Sequence, residues 1–345
     1  MNDGKRNLEK SLTRTGKELV ETMKNSCKNK ITQLLSSRRR LFPLLLCGTA
    51  VLLSGCSGKA ANSAEGSIHL GVMYSSDIVP LTIITEQGLD KKHGIQLDMQ
   101  VFSSAKDRDA ALQAGELDGV FTDFVGLCMY QNAGLDVKAT GCTDGDYVLL
   151  AGKDTGITSL SGAAGKSIAI SENTLIEYSL DYMLNKAGFE DAYLDKTVVP
   201  RIPDRLEMLR SGKVDLVLLP EPFSTIAIKE GAVVLGSANT EGLYPAVSAF
   251  TQKAINEKSD AIEKLYLAYD EAADYLNSTP LKEYESLVIK GAGYPEELTG
   301  SIKLPVFRKN ELPKMADLQA AIEWASKKGL CSSDLQPEQL LTGQK

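Results

Sequence analysis

The chain has 345 residues, with 38 Lys and Arg against 45 Asp and Glu, for a net charge of -7. The charge is unevenly placed: residues 1–56 hold 11 basic and 4 acidic side chains, which leaves 27 basic and 41 acidic for the other 289 residues, a net -14. An acidic body of that length accommodates two domains and excludes nucleic acid as its expected partner. With only His69 and His93, and no Cys or His pair at metal-ligand spacing, neither a zinc centre nor another cofactor is expected.

Residues 1–37 are polar and basic, and Met23, heading Met23-Lys24-Asn25-Ser26-Cys27-Lys28, reads as an alternative translation start. Arg38, Arg39 and Arg40 then precede an apolar run over 41–53 that closes at Leu53-Ser54-Gly55-Cys56. A positive cluster, a short apolar segment and a small-residue end are the three parts of an export signal. The run falls short of the about 20 apolar residues a spanning helix needs, and Pro43 and Gly48 interrupt it. The box resembles that of bacterial lipoprotein signal peptides, which implies that residues 1–55 are removed and that Cys56 is acylated as the mature N-terminus. Each buried methylene of an acyl chain contributes about 0.8 kcal/mol, so several chains on one cysteine hold a protein at a bilayer without spanning it. Residues 57–66 are small and polar, a flexible tether of roughly 18 Å mean span. The expected place of the body is therefore the extracytoplasmic face of the cell membrane, on the periplasmic or extracellular side.

The body opens on Ile68, Leu70 and Val72 in alternation, a strand, followed by the polar loop 74–77. A helix is expected over 79–87, stopping at Gly88, and Ile95, Leu97, Met99 and Val101 give a second strand. Phe102-Ser103-Ser104 leads into a helix ending at Gly115, and the strand 119–121 runs into Thr122-Asp123. The same order then returns: strand 166–170, loop 171–174, helix 175–186, strand 197–199, a helical Ile202, Leu206, Leu209 spacing before Gly212, and strand 214–219 ending at Pro220-Glu221-Pro222. The return reaches single residues, since Leu112, Gly115, Leu117, Asp118 and Val120 match Leu209, Gly212, Val214, Asp215 and Val217 in spacing. Glycine suits a left-handed helix stop, Asp a turn, and Val the start of a buried strand.

Two lobes follow, with extended runs 147–151 and 246–250 as the crossovers, so the boundaries are placed at 67–151 plus 246–345 for the first lobe and 152–245 for the second. The helices over 259–277 and 314–328 are expected to pack back on the first lobe, with Trp324 expected as core before a ligand platform. Cys128, Cys142 and Cys331 remain after Cys56. The spacing admits a Cys128–Cys142 disulfide, and buried free thiols fit as well.

In such sheets ligands bind outside the carboxyl ends of the strands. The candidate ligand residues on those loops are Tyr74, Ser75, Asp77, Ser103, Ser104, Thr122, Asp123, Asn173, Thr174 and Glu221. Residues 73–80, Ser103-Ser104, Gly115-Glu116-Leu117-Asp118-Gly119, Gly212-Lys213-Val214-Asp215 and Glu221-Pro222, taken in order over 68–243 with the lipobox, resemble solute-binding proteins of the nitrate, sulfonate, taurine and thiamine-pyrimidine type. The resemblance implies an α/β, two-lobed Venus-flytrap periplasmic-binding-protein fold, each lobe a mostly parallel sheet flanked by helices. It also implies a small-molecule solute, an ABC transporter permease as partner, and a monomer tethered to the membrane by its lipid.

The loops carry Asp77, Asp123, Glu172 and Glu221 and no Lys or Arg, Lys106 being nearest. Carboxylates repel anions, so a neutral or cationic amine or amino-pyrimidine is expected before a sulfonate or nitrate. Each carboxylate also has a structural alternative: a cap for Asp77, a turn for Asp123, solvation for Glu172 and pairing for Glu221. Tyr74, Phe102 and Phe223 are placed to stack on a flat ligand or to pack in the core. Pyrimidine synthases share the broad fold, but their cysteine-rich run and iron-chemistry histidines are missing, so a receptor rather than an enzyme is expected. A lipid-anchored ligand sensor is the remaining alternative.

Overall fold

The computed structural model describes residues 66–343. The signal run, Cys56 and residues 57–65 of the tether lie outside the described residues.

In chain order the elements are β1 (Ser67–Met73), α1 (Val79–Glu86), α2 (Leu89–Lys92), β2 (Gln96–Phe102), α3 (Ala105–Gln113), β3 (Gly119–Asp123), α4 (Phe124–Asn132), β4 (Val137–Cys142) and β5 (Tyr147–Ala151). Next come β6 (Ser167–Ile170), α5 (Leu175–Lys186), β7 (Asp195–Val198), α6 (Ile202–Arg210), β8 (Leu216–Pro220), α7 (Phe223–Lys229), β9 (Val233–Ser237) and β10 (Ala246–Thr251). Four helices close the chain: α8 (Gln252–Glu257), α9 (Ser259–Ser278), α10 (Glu285–Ala292) and α11 (Met315–Lys327).

The strands form two five-stranded sheets, ordered β2-β1-β3-β10-β4 and β7-β6-β8-β5-β9. In the first, β1 pairs in parallel with β2 and β3, while β10 runs against β3 and β4. In the second, β6 is parallel to β7 and β8, and β5 runs against β8 and β9. Each sheet therefore has four strands in one direction and one reversed strand next to its centre.

The expected first boundary at residue 151 differs from this pairing, because β5 lies inside the second sheet with β8 on one side and β9 on the other. The first crossover falls between Cys142 and Tyr147, not within the strand. An apolar five-residue run satisfies its backbone equally well in either sheet, so its own sequence does not choose between them.

The internal repeat is a closure device used twice. Gly115 and Gly212 both take left-handed φ, 76° and 66°, and turn the chain out of α3 and α6. Asp118 then accepts the His69 backbone N–H at 2.8 Å, and Asp215 accepts that of Ser167 at 2.9 Å. Each carboxylate thus clamps the start of a central strand to the turn that feeds its parallel neighbour.

Ile68, Leu70 and Val72 are fully buried, and α1, α9 and α10 cover them with Ile83, Ile84, Leu265, Tyr269 and Val288. A fully buried Val, Leu or Ile contributes roughly 1.5–3 kcal/mol, so this face holds the N-terminal strand and the C-terminal helices together. The last helix does more than pack on the first lobe. Leu318, Ala321, Ile322 and Ala325 of α11 bury in the same core as Phe124 and Cys128 of α4. Its half-buried Trp324 meets Tyr178 of the second lobe edge-to-face at 5.3 Å and donates to Asp181 at 3.0 Å. Lys328, one turn on, reaches Glu177 at 2.6 Å. Trp324 therefore packs against the buried core, at the place where the two lobes meet. Cys128, Cys142 and Cys331 are buried free thiols, and the thiol near Cys128 is that of Cys331, not Cys142.

Candidate functional site

A cavity of about 580 Å³, counted with its opening, lies between the two sheets at the carboxyl ends of β1, β3, β6 and β8. Six of the residues read from the sequence line it: Tyr74, Ser75, Asp77, Thr122, Asp123 and Thr174. Tyr147, from the strand that begins at the crossover, forms part of the wall.

Asp77 sits in a single tight turn, Ser76–Ile78, that α1 continues with Pro80 in its first turn. Pro costs nothing there, where the N–H has no helical acceptor. The carboxylate does not cap the helix. It is buried and accepts the Thr143 hydroxyl at 2.9 Å. Burial pushes its pKa up to about 6, with the Thr143 and Ser75 hydroxyls pulling down and nearby Asp144 pushing up. Asp123 combines two roles. One oxygen caps α4 by accepting Gly126 N–H at 2.9 Å, while burial raises its pKa against the pull of Arg108. Thr174 caps α5 by accepting Ile176 N–H at 3.2 Å.

The other four residues read from the sequence are not in the wall. Ser104 caps α3, accepting Asp107 N–H at 3.2 Å. The Ser103 carbonyl accepts Ile202 N–H at 3.1 Å, and its hydroxyl lies 3.4 Å from Arg201 Nε, so this serine ties the lobes to each other. Asn173 has a left-handed φ of 56° and donates its N–H to Glu177 at 2.8 Å. Together with Glu172 and Lys106 it lines a wider groove of about 1450 Å³ that opens from the cavity. Glu221 accepts the hydroxyls of Ser224 and Thr225 through one oxygen, and burial raises its pKa. Phe223 meets Tyr74 across the lobes, rings 6.4 Å apart and 61° inclined. Lys229 of α7 reaches the Glu297 carbonyl at 2.6 Å, so the lobes touch at several points around the cavity.

The sequence reading missed two cations. The strand-end loops hold no Lys or Arg, yet Arg108 from α3 and Arg205 from α6 both line the cavity and are 3% and 1% exposed. Side chains on a helix point back toward its N-terminus, so a residue one turn in reaches the mouth of the strand-end loops. The repeat held the signal, since each arginine stands seven residues before its helix-closing glycine, Gly115 or Gly212.

Their partners differ. Arg108 pairs with Asp109 at 2.7 Å and also donates to the Phe121 carbonyl and the Thr122 hydroxyl. Arg205 donates through Nη1 to the carbonyls of Val199 and Pro200 at 3.0 and 3.1 Å, and its buried Nε has no partner among the described residues. Desolvation lowers its pKa to about 10, opposed only by Asp204. One arginine is neutralised in place, and the other is a buried cation whose counter-charge is not supplied by the wall. Among the described residues no group of acids, histidines or cysteines is arranged to hold a metal ion.

The NMT1-like family matches residues 61–289 of the chain. A putative ABC transporter periplasmic binding protein of Brachyspira hyodysenteriae is 23% identical over 256 residues, covering 69% of this chain and 73% of that protein. A putative binding protein of Brucella abortus is 24% identical over 204 residues, and there the match spans 57% of this chain and 63% of the relative. Among solved structures, the periplasmic aliphatic sulphonate binding protein SsuA from Escherichia coli superposes with a TM-score of 0.67 at 17% identity, over 81% of this chain and 93% of that one. The periplasmic nitrate-binding protein NrtA from Synechocystis PCC 6803 gives 0.63 at 13% identity, over 79% and 83%. At these identities the likeness is one of fold, and the fold is the two-lobed periplasmic-binding-protein architecture.

Proposed function

The chain belongs to the NMT1-like family, and from that premise we propose that it is the solute-binding component of an ATP-driven importer, acting as a monomer that captures a small molecule between its lobes and delivers it to a membrane permease. The observation that carries this reading is the cavity outside the carboxyl ends of strands from both sheets, the place where α/β sheets bind ligands. The lobes are joined by short crossings, so a hinge motion opens and closes the cavity, and a solute that prefers the closed form shifts the balance. The Brachyspira hyodysenteriae relative, which carries the name of ABC transporter periplasmic binding protein, supports the same role.

The solute reading remains an amine or amino-pyrimidine, neutral or cationic. Asp77 and Asp123 are buried in the wall and burial raises the pKa of each; Asp123 has Arg108 as a counter-charge, whereas the influences on Asp77 include no cation. Tyr74 and Tyr147 offer flat faces and hydroxyls beside them. The sulfonate or nitrate reading gains one supporting observation, the unpaired guanidinium of Arg205. The lipid on Cys56 would keep the receptor near its permease, raising the effective concentration there.

A thermal-shift screen of the purified protein against amines, pyrimidines, sulfonates, nitrate and amino acids tests the reading. A solute at 100 times its Kd stabilises by about 2.7 kcal/mol. Response to amines or amino-pyrimidines is expected. A taurine or nitrate response with none to cations or pyrimidines overturns the solute class, and redox turnover with added iron replaces the receptor by an enzyme.

A further inference from the structure

Two of the three thiols of the body lie where the last helix meets α4. Cys128 stands at the middle of α4 and is fully buried. Cys331 follows α11, and its place is set by how that helix ends. Gly329 takes a left-handed φ of 73°, while the N–H groups of Gly329 and Leu330 donate to the Ser326 and Ala325 carbonyls, each at 2.9 Å. The chain thus folds back on the last helical turn. That return carries Cys331 into the core, with its Sγ 3.9 Å from the Ile322 carbonyl. Ile322 and Cys331 share one packed core with Phe124 and Cys128. There the two side chains meet, the Cys128 thiol donating to the Cys331 sulfur. Cys142 has a separate place, beside Thr143, Ser248, Tyr266 and Tyr269.

A buried free cysteine packs as any small hydrophobe does, so packing alone does not call for two of them in contact. An extracytoplasmic chain folds where disulfides form and persist. We propose that Cys128 and Cys331 are the reduced halves of one disulfide, made in the exported chain, that staples the end of α11 to α4. One protein thiolate attacks a sulfur of a disulfide-bearing oxidant of that compartment, forming a mixed disulfide and expelling one oxidant thiolate. The second cysteine then attacks the protein sulfur of the mixed disulfide and expels the other. Two protein thiols lose two protons and two electrons, and the oxidant leaves as two thiols. Burial pushes both thiols up from their ordinary pKa, so exchange belongs to the folding chain, and the finished bond is shielded from reductant. The bond closes a loop of about 200 residues, which restricts the unfolded chain. It also fixes the segment that brings Trp324 and Lys328 to Asp181 and Glu177 of the second lobe. The bond requires the extracytoplasmic placement of the receptor reading and nothing about its solute.

The exported protein is unfolded in urea with N-ethylmaleimide and no reductant, digested, and read by mass spectrometry. The expected result is a Cys128 peptide joined to a Cys331 peptide, two hydrogen atoms lighter than their sum, with Cys142 alkylated. Melting of the folded protein is recorded with and without dithiothreitol, which reaches the bond as the fold opens. Reductant should lower the melting temperature by at least about 5 °C. That difference should vanish in Cys128→Ser and in Cys331→Ser and remain in Cys142→Ser. Where a serine variant of the pair does not melt cooperatively, the peptide map and the reductant shift of Cys142→Ser decide, since neither needs a change at the pair. Alkylation of all three cysteines in the exported protein, a Cys128–Cys142 bond, or a reductant shift that survives Cys331→Ser overturns the inference. Each of these leaves the receptor standing, because a solute-binding protein with two free thiols still answers the thermal-shift screen.

Discussion

Replacing Asp77 by Asn should make the empty protein more stable at neutral and alkaline pH. Asp77 is 5% exposed, and its pKa rises from 3.8 to about 6 on folding. A raised acid binds more protons folded than unfolded between those two values, so its contribution is neutral below about pH 4, grows unfavourable as pH climbs from about 4 to 6, and stays at its full penalty above that. A rise of two units corresponds to about 3 kcal/mol of penalty once the group is ionised in both states. Asn keeps the acceptor for the Thr143 hydroxyl, 2.9 Å away in the parent, and removes the charge. Urea unfolding at pH 8 should therefore show Asp77→Asn more stable by about 2–3 kcal/mol, with the gap closing toward pH 4. The same variant should lose solute affinity, a trade between stability and function expected where a site stores an unmet charge. An Asp77→Asn protein that is no more stable than its parent at pH 8, or whose advantage is the same at pH 4, would refute the reasoning.

Three further outcomes are expected. Gly119→Ala places a Cβ 2.6 Å from both the Ala249 carbonyl and the Phe250 ring, and since backbone cannot yield as a side chain does, a loss of about 1–3 kcal/mol should be seen in urea unfolding. Asp215→Ala removes the acceptor of the Ser167 N–H and hydroxyl; a loss of about 1 kcal/mol is expected at pH 7. Because hydrogen bonds from Ser167 hold the Asp215 pKa below the ordinary value, that difference should fade as pH falls through the native pKa. Cys56→Ser should abolish incorporation of labelled palmitate and release the body from the membrane fraction; a variant that stays bound and labelled would end the lipoprotein reading.

The strand and helix order could be read from the chain because each element is written in local periodicity. Ile68, Leu70 and Val72 alternate whatever surrounds them, and the Leu-Gly-Asp-Val repeat carries its own turn chemistry, so two similar lobes followed without tertiary information. The candidate residues Tyr74, Ser75, Asp77, Thr122 and Asp123 lined the cavity for the same reason, since a parallel sheet leaves its ligand face at the carboxyl ends of its strands.

Long-range pairing decided the rest. Nothing local tells Tyr147–Ala151 which sheet to join, and its neighbours β8 and β9 lie some 70 and 85 residues downstream. Trp324 is apolar enough for a core anywhere, and only the packed helix brings it to Tyr178 and Asp181. The arginines show the division most clearly. As sequence, Arg108 and Arg205 are ordinary helical cations at matching places in a repeat. Folding buries both at one cavity, gives Arg108 its Asp109, and leaves Arg205 facing the cleft with its charge unmet. Sequence set which charges the protein has, and only the approach of two lobes determined which of them cancel.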